Sequence, residues 1–218
     1  MLFDTNLPLL VFDLDGTLVD SAVDIHIAMN QMLTRYGRRQ VELPVLISHI
    51  GDGLTKLVND FFPEFHIDSG ENKDKVLEFL HIYETNLIQH TKPYRGVEEF
   101  LRSYTGPKAM ITNKNIKPAM EILEHFHLHN LPWIDLLGAD SLPERKPSPL
   151  PLRHVMAKAD YKPERTFMIG DGRPDMLSGQ AAGCVKVAVH YGYSTAEELA
   201  IYQPHHALQK FTDLKGLI

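Results

Sequence analysis

The chain has 218 residues, 44% hydrophobic and 23% charged, the balance of an ordinary soluble protein with one substantial core, or one core and a smaller satellite. A formal net charge of −6 disfavours a general nucleic-acid surface, which needs clustered Lys and Arg to displace phosphate counterions, but leaves room for a small anionic substrate held by local cations. The single cysteine, Cys184, excludes an intrachain disulfide; no apolar run approaches the roughly eighteen residues of a membrane span, and Asp4 stands where a signal peptide carries Lys or Arg, so the expectation is a cytoplasmic protein without a membrane partner.

The first predicted strand, residues 9–14, is an apolar run (Leu9-Leu10-Val11-Phe12) that breaks off in Asp13-Leu14-Asp15-Gly16-Thr17. Residues two apart on a strand project to the same face, so Asp13 and Asp15 aim two carboxylates at one point, and Gly16 allows a tight turn after them. At about 4 Å and an effective dielectric of about 20, two such charges repel by roughly 4 kcal/mol. Such a pair persists where a cation neutralises it or one acid stays protonated, and metal-assisted acyl-phosphate chemistry needs both conditions. A solvated acidic turn is the plainer reading of these residues taken alone.

From about residue 21 to residue 90 the pattern is helical, with no strand. Apolar residues at Ile25, Ala28, Met29, Met32 and Leu33 predict a helix over 22–36. Gly51-Asp52-Gly53 opens a second through Leu54, Leu57, Val58 and Phe61, and a third covers 73–88. Gly51 and Gly53 at a helix start offer free amides to an anion, with Lys56 one turn on; the plainer reading is a glycine-shaped turn and a surface lysine. Pro93 and Gly96 close the insert.

Beyond it, predicted strands at 108–112, 133–138, 166–170 and 185–189 alternate with helices at 97–104, 117–125, 150–159 and 174–182. This alternation predicts an α/β fold, a parallel sheet covered by helices on both sides, with ligands beyond the carboxyl ends of the strands. The domain expectation is a core of residues 1–20 and 91–218 and a helical domain of residues 21–90. His125, His127 and His129, alternating with Phe126 and Leu128, read as a frayed helix end rather than a metal site.

Three further groups stand at strand ends. Thr112 and Asn113 offer a hydroxyl and an amide to phosphate oxygens, or cap the next helix. Lys146, stiffened by Pro147 and Pro149, offers an ammonium suited to a transferring phosphoryl group, or is a solvated loop lysine. Gly170-Asp171-Gly172-Arg173-Pro174-Asp175 offers two more carboxylates, the hard oxygen ligands of Mg²⁺, or is a common turn.

In this order the four groups resemble the motifs of the haloacid dehalogenase superfamily: Asp13-x-Asp15-Gly-Thr-Leu the first, Thr112 the second, Lys146 the third, and Gly170-Asp171 with Asp175 the fourth. Segments 50–54, 93–97, 111–114, 146–149 and 190–193 are similar to those of bacterial phosphoglycolate phosphatases, Gly172 standing where these usually have Ser. The resemblance implies a Rossmann-like core with an inserted all-helical cap, and a Mg²⁺-dependent phosphatase. It implies Asp13 as nucleophile, Asp15 as acid and base, and Thr112 and Lys146 as further catalytic groups. Mg²⁺ would be held by Asp13, the Asp15 backbone carbonyl and Asp171, with Asp175 nearby or acting through water. Substrate would be bound by Gly16, Thr17 and Asn113, to which the glycine-led helix start adds Gly51, Gly53 and Lys56. The implied partner is a small phosphorylated metabolite such as 2-phosphoglycolate, acted on by a monomer or homodimer. Pyrophosphatase, nucleotidase, sugar phosphatase and sugar phosphomutase activities are the alternatives, and a phospho-receiver module is the non-enzymatic one.

Overall fold

The computed structural model describes residues 3–66 and 73–218. The first strand, β1 (Leu9–Phe12), is followed by a short β2 (Val19–Asp20) and then by helices α1 (Ala22–Arg35), α2 (Leu43–Ile47), α3 (Leu54–Phe61) and α4 (Lys73–Asn86). The chain returns through β3 (Lys92–Pro93) and then alternates. In order come α5 (Val97–Ser103), β4 (Lys108–Ile111), α6 (Ile116–His125), β5 (Leu136–Leu137), α7 (Leu150–Ala159), β6 (Thr166–Gly170), α8 (Arg173–Ala182), β7 (Val185–Val189), α9 (Ala196–Ala200) and β8 (His206–Leu208).

Six strands form one sheet in the order β5-β4-β1-β6-β7-β8, with every pairing parallel. All four residues of β1 are fully buried, as a central strand covered on both faces requires. Their side chains alternate between two cores. Leu10 and Phe12 pack with Phe100, Leu101, Ile122, Leu123 and Phe211. Leu9 and Val11 pack with Leu152, Val155 and Met156 of α7. The fold class expected from the alternating pattern is the one observed.

The helices between β2 and β3 have their own apolar core, built from Met29, Met32, Phe62, Phe79 and Ile82 among others. The chain leaves for this helical unit and returns from it across a two-residue antiparallel ribbon, Val19 facing Pro93 and Asp20 facing Lys92. Exposed ion pairs, Arg173–Asp52 at 3.0 Å and Lys117–Glu84 at 2.8 Å, join the unit to α8 and α6 and contribute little each. The junction itself is pinned by Asp24, fully buried in the first turn of α1. Its carboxylate accepts hydrogen bonds from the His90 N–H at 2.9 Å, the Thr91 N–H at 2.8 Å and the Thr91 hydroxyl at 2.6 Å. Asp24→Ala strands these donors at a cost on the order of 3 kcal/mol. Thermal unfolding of the variant is therefore expected roughly 6–12 °C below wild type; an unchanged midpoint would contradict this role.

Several element boundaries differ from the expected ones for local reasons. β1 stops at Phe12 because the Leu14 carbonyl accepts from Thr17, Leu18 and Val19, closing a turn. The strand expected over 133–138 shortens to β5 at the sheet edge: the Trp133 indole donates to the Leu128 carbonyl at 2.8 Å, tying it to the preceding turn. α4 ends at Asn86, two residues before Ile88, whose φ of 69° no helix accommodates. The ribbon β2–β3 and the edge strand β8 have two or three residues each, too short to leave a periodic signal.

Candidate active site

In the sheet order β1 has β4 on one side and β6 on the other, so the chain's crossovers run in opposite directions from it. A crevice opens at the carboxyl ends of strands at such a switch point. Asp13 follows β1, Thr112 follows β4 and Asp171 follows β6, which brings three of the motif residues there.

Asp13, Asp171 and Asp175 are buried, and one carboxylate oxygen from each lies within 4.8 Å of the others. Among the described residues this is the one group of three acidic, histidine or cysteine side chains so arranged. Two glycines allow the approach: a Cβ on Gly16 would lie 2.1 Å from Asp171 Oδ2, and one on Gly170 would lie 2.2 Å from Asp175 Cγ. Thr17 donates its hydroxyl to Asp171 Oδ1 at 3.1 Å, and the Tyr193 N–H donates to Oδ2 at 2.8 Å. The Gly172 N–H donates to Asp175 Oδ2 at 3.0 Å.

Lys146 is fully buried between two of these acids, with Nζ 2.6 Å from Asp175 Oδ1 and 2.9 Å from Asp13 Oδ1. The second contact lies off hydrogen-bond geometry, so Asp13 Oδ1 has a charged neighbour but no hydrogen bond. Burial works against the Lys146 ammonium, but the two carboxylates outweigh it and raise its pKa. Burial pushes the Asp13 carboxyl up to about 7, against the pull of Lys146 and with a further push from Asp175. Burial, with the charges of Asp13 and Asp175, raises Asp171 well above the usual carboxylate range. Once ionised, three carboxylates against one ammonium leave two negative charges uncompensated, the charge of one divalent cation. An orphaned buried oxygen and an all-oxygen donor set fit a hard divalent metal.

Asp15 does not join this cluster through its carboxylate. Ser21 Oγ donates to its Oδ1 at 2.5 Å, and Lys114 Nζ lies 3.1 Å from its Oδ2. Lys114 in turn donates to the Tyr83 hydroxyl of α4 at 2.9 Å. Burial opposes the Lys114 ammonium, yet Asp15 and Tyr83 together hold its pKa above the ordinary lysine value. Reading the chain from its motifs missed Ser21, Tyr83, Lys114 and Tyr193. Lys114 follows a recognised motif, but nothing in its spacing tells that it turns toward Asp15.

A cavity opens between the sheet and the helical unit, lined by Asp13, Asp15, Gly51, Gly53, Thr112, Asn113, Asp171 and Asp175 together with Lys114, Tyr83 and apolar residues of the helices. Asn113 is not a helix cap: its amide donates to the Gly51 carbonyl and to the Lys146 carbonyl, both at 3.0 Å, and ties the glycine loop to the core. Thr112 Oγ1 accepts from the Lys114 N–H at 3.1 Å. Gly16, Thr17 and Lys146 are not among the residues lining the cavity, but each touches one of the acids: Gly16 and Thr17 lie against Asp171, and Lys146 against Asp13 and Asp175. Lys56 is not among the residues lining the cavity: its ammonium pairs with both oxygens of Asp60, one turn on, at 2.7 and 2.8 Å, and its side chain is half exposed.

The raised carboxyl pKa values have a consequence for stability without metal. Between the ordinary carboxylate value of 3.8 and about 7, the folded chain keeps a proton on Asp13 that the unfolded chain has lost. Stability then falls as pH rises through that window. A divalent cation that pairs with the ionised acids removes the penalty, so its stabilisation is expected to grow over the same range. Melting temperatures with chelator and with added divalent cation check this; a metal-induced shift equal at pH 5 and pH 8 would contradict it.

A family model described as haloacid dehalogenase-like hydrolase matches residues 10–189. The phosphoglycolate phosphatase of Neisseria meningitidis is 38% identical over 188 residues, 84% of this chain and 80% of that protein. That of Chromobacterium violaceum is 35% identical over 209 residues, 93% of this chain and 94% of that one. The crystal structure of a predicted phosphoglycolate phosphatase from Haemophilus somnus superimposes with a TM-score of 0.87 at 28% identity, over 98% of both chains. With a parallel sheet, an acidic trio at its switch point and a buried lysine between two of the acids, the chain belongs to the haloacid dehalogenase-like hydrolase family.

Proposed function

We propose that this chain hydrolyses a small phosphate monoester, 2-phosphoglycolate or a close relative, through an aspartyl-phosphate on Asp13 and with Mg²⁺ as its metal. The observation that carries this reading is the convergence of Asp13 with Asp171, Asp175 and Lys146 beyond β1 and β6. The choice of substrate is supported by the names of the relatives and by a cavity walled partly by apolar side chains, which suits a small ester better than a hydroxyl-rich one.

The Asp13 carboxylate attacks phosphorus, and the bond from phosphorus to the ester oxygen breaks, splitting one difficult hydrolysis into two steps. The Asp15 carboxyl gives its proton to the departing alkoxide, then takes one from the water that cleaves the aspartyl-phosphate to release phosphate. Ser21 at 2.5 Å and Lys114 at 3.1 Å hold that carboxyl in place. Lys146 and Thr112 offset the charge spread over the phosphoryl oxygens. Mg²⁺ would be held by the carboxylates of Asp13 and Asp171 and by the Asp15 backbone carbonyl, with Asp175 beside it or acting through water, and would supply further neutralisation of that charge. The helical unit, with core residues Leu57 and Phe79 on the cavity wall, keeps bulk water from the reacting centre.

The test is a phosphatase screen with Mg²⁺ over 2-phosphoglycolate, pyrophosphate, nucleoside monophosphates and sugar phosphates. Highest kcat/KM on 2-phosphoglycolate is expected, with loss of turnover on chelation and recovery on adding Mg²⁺. A single phosphorylation without turnover would assign a receiver module, and a clear preference for another ester would replace the substrate.

A further inference from the structure

We infer that Lys114 of the core and Tyr83 of the helical unit form an anion subsite that selects phosphate esters carrying a carboxylate beside the scissile bond. This rests on the phosphatase reading above and deepens it. Lys114 is the one lysine or arginine among the described residues lining the cavity. The other basic group there, His49, is held by Asp60 at 2.9 Å, outside the acidic cluster. Lys114 is more than nine-tenths buried, so its charge acts in a medium of low polarity, where an ion pair is worth far more than at the surface.

Position argues the same way. An ammonium has three N–H donors. One is donated to the Tyr83 hydroxyl at 2.9 Å, and the ammonium pairs with the Asp15 carboxylate at 3.1 Å, which leaves donor capacity for a substrate oxygen. Asp15 is the group that serves the leaving oxygen, so a cation in contact with it lies beside the first atoms of the leaving group. In 2-phosphoglycolate the carboxylate is one methylene from that oxygen. A neutral leaving group would present nothing to this ammonium, and a hydroxyl-rich one would leave its polar groups against Ile25, Leu57 and Phe79. Because Lys114 follows β4 and Tyr83 lies on α4, the subsite is complete only with the helical unit over the core.

The experiment compares kcat/KM for 2-phosphoglycolate and for ethyl phosphate, which lacks the carboxylate, in wild type, K114M, K114R and Y83F. The expected result is a wild-type preference for 2-phosphoglycolate that falls about a hundredfold in K114M and about tenfold in Y83F, and is largely retained in K114R. Should K114M not fold, by circular dichroism, Y83F decides, since it keeps the pair between Lys114 and Asp15. A preference that persists in both K114M and Y83F would overturn this inference alone. So would K114M slowing both esters equally, which would leave Lys114 no role beyond holding Asp15. A wild type that does not distinguish the two esters would overturn the substrate reading, and this inference with it.

Discussion

Asp13→Asn is expected to lower kcat by a factor on the order of 10⁴ or more, the scale on which removing a nucleophile acts. The amide cannot form the aspartyl-phosphate, so single-turnover experiments should show no covalent phosphoenzyme. The same change should leave the fold intact and, without metal, raise stability above about pH 7. Wild-type Asp13 is harder to ionise in the folded chain than in the unfolded one, its carboxyl pushed up to about 7 by burial and by the charge of Asp175. Above that pH the folded state therefore carries a penalty that a neutral side chain of the same shape does not. Lys146 keeps Asp175 at 2.6 Å when the charge at position 13 is lost, so no buried cation is stranded. Activity and stability thus move in opposite directions. A folded variant with wild-type turnover would remove Asp13 as the nucleophile, and a variant less stable than wild type at pH 8 without metal would contradict the electrostatic account.

The parts of the site legible in the sequence were those where local chemistry is anomalous. An apolar run that is fully buried in the sheet ends abruptly in Asp13, and such a break marks the carboxyl end of a strand from the residue types alone. Asp171 and Asp175 follow a second buried strand in the same way. Lys56 shows how little spacing says about direction. Its place one turn after Gly53 suggests that it faces the same ligand, but successive residues on a helix point about 100° apart. Leu57 takes the cavity side, and Lys56 pairs with Asp60 four residues on. Lys114 shows the converse. Its role depends on Asp15 from another strand end and on Tyr83 from a helix 31 residues earlier, contacts that no spacing along the chain encodes. The short pairings of β2, β3, β5 and β8 are likewise products of tertiary packing, since two or three residues carry no periodicity.

Lys146→Met has the second large expected effect, on stability and rate together. The wild-type side chain is almost wholly buried, with Asp175 at 2.6 Å and Asp13 at 2.9 Å. Methionine fills similar space but leaves three buried carboxylates within 4.8 Å of one another and no ammonium among them. Breaking a buried pair from one side costs about 3–5 kcal/mol, which in a chain of this length lowers the melting temperature by roughly 6–20 °C. The loss should depend on pH in a defined direction. Asp13 and Asp171 have folded-state pKa values already raised by burial, so at pH 5 both can hold their protons at little cost and the ammonium matters less. Above about pH 7 the acids must ionise or remain protonated against the solvent, and the full penalty appears. The melting-temperature gap between wild type and variant should therefore widen from pH 5 to pH 8, and a divalent cation should narrow it again by replacing the missing charge. The rate should not return with it: the metal compensates the acids, but the ammonium that offsets the developing phosphoryl charge is gone, at a cost of about 10²–10³ in kcat. A gap of equal size at both pH values would show that the methionine variant suffers from packing rather than from uncompensated charge, and would remove the electrostatic role assigned to Lys146.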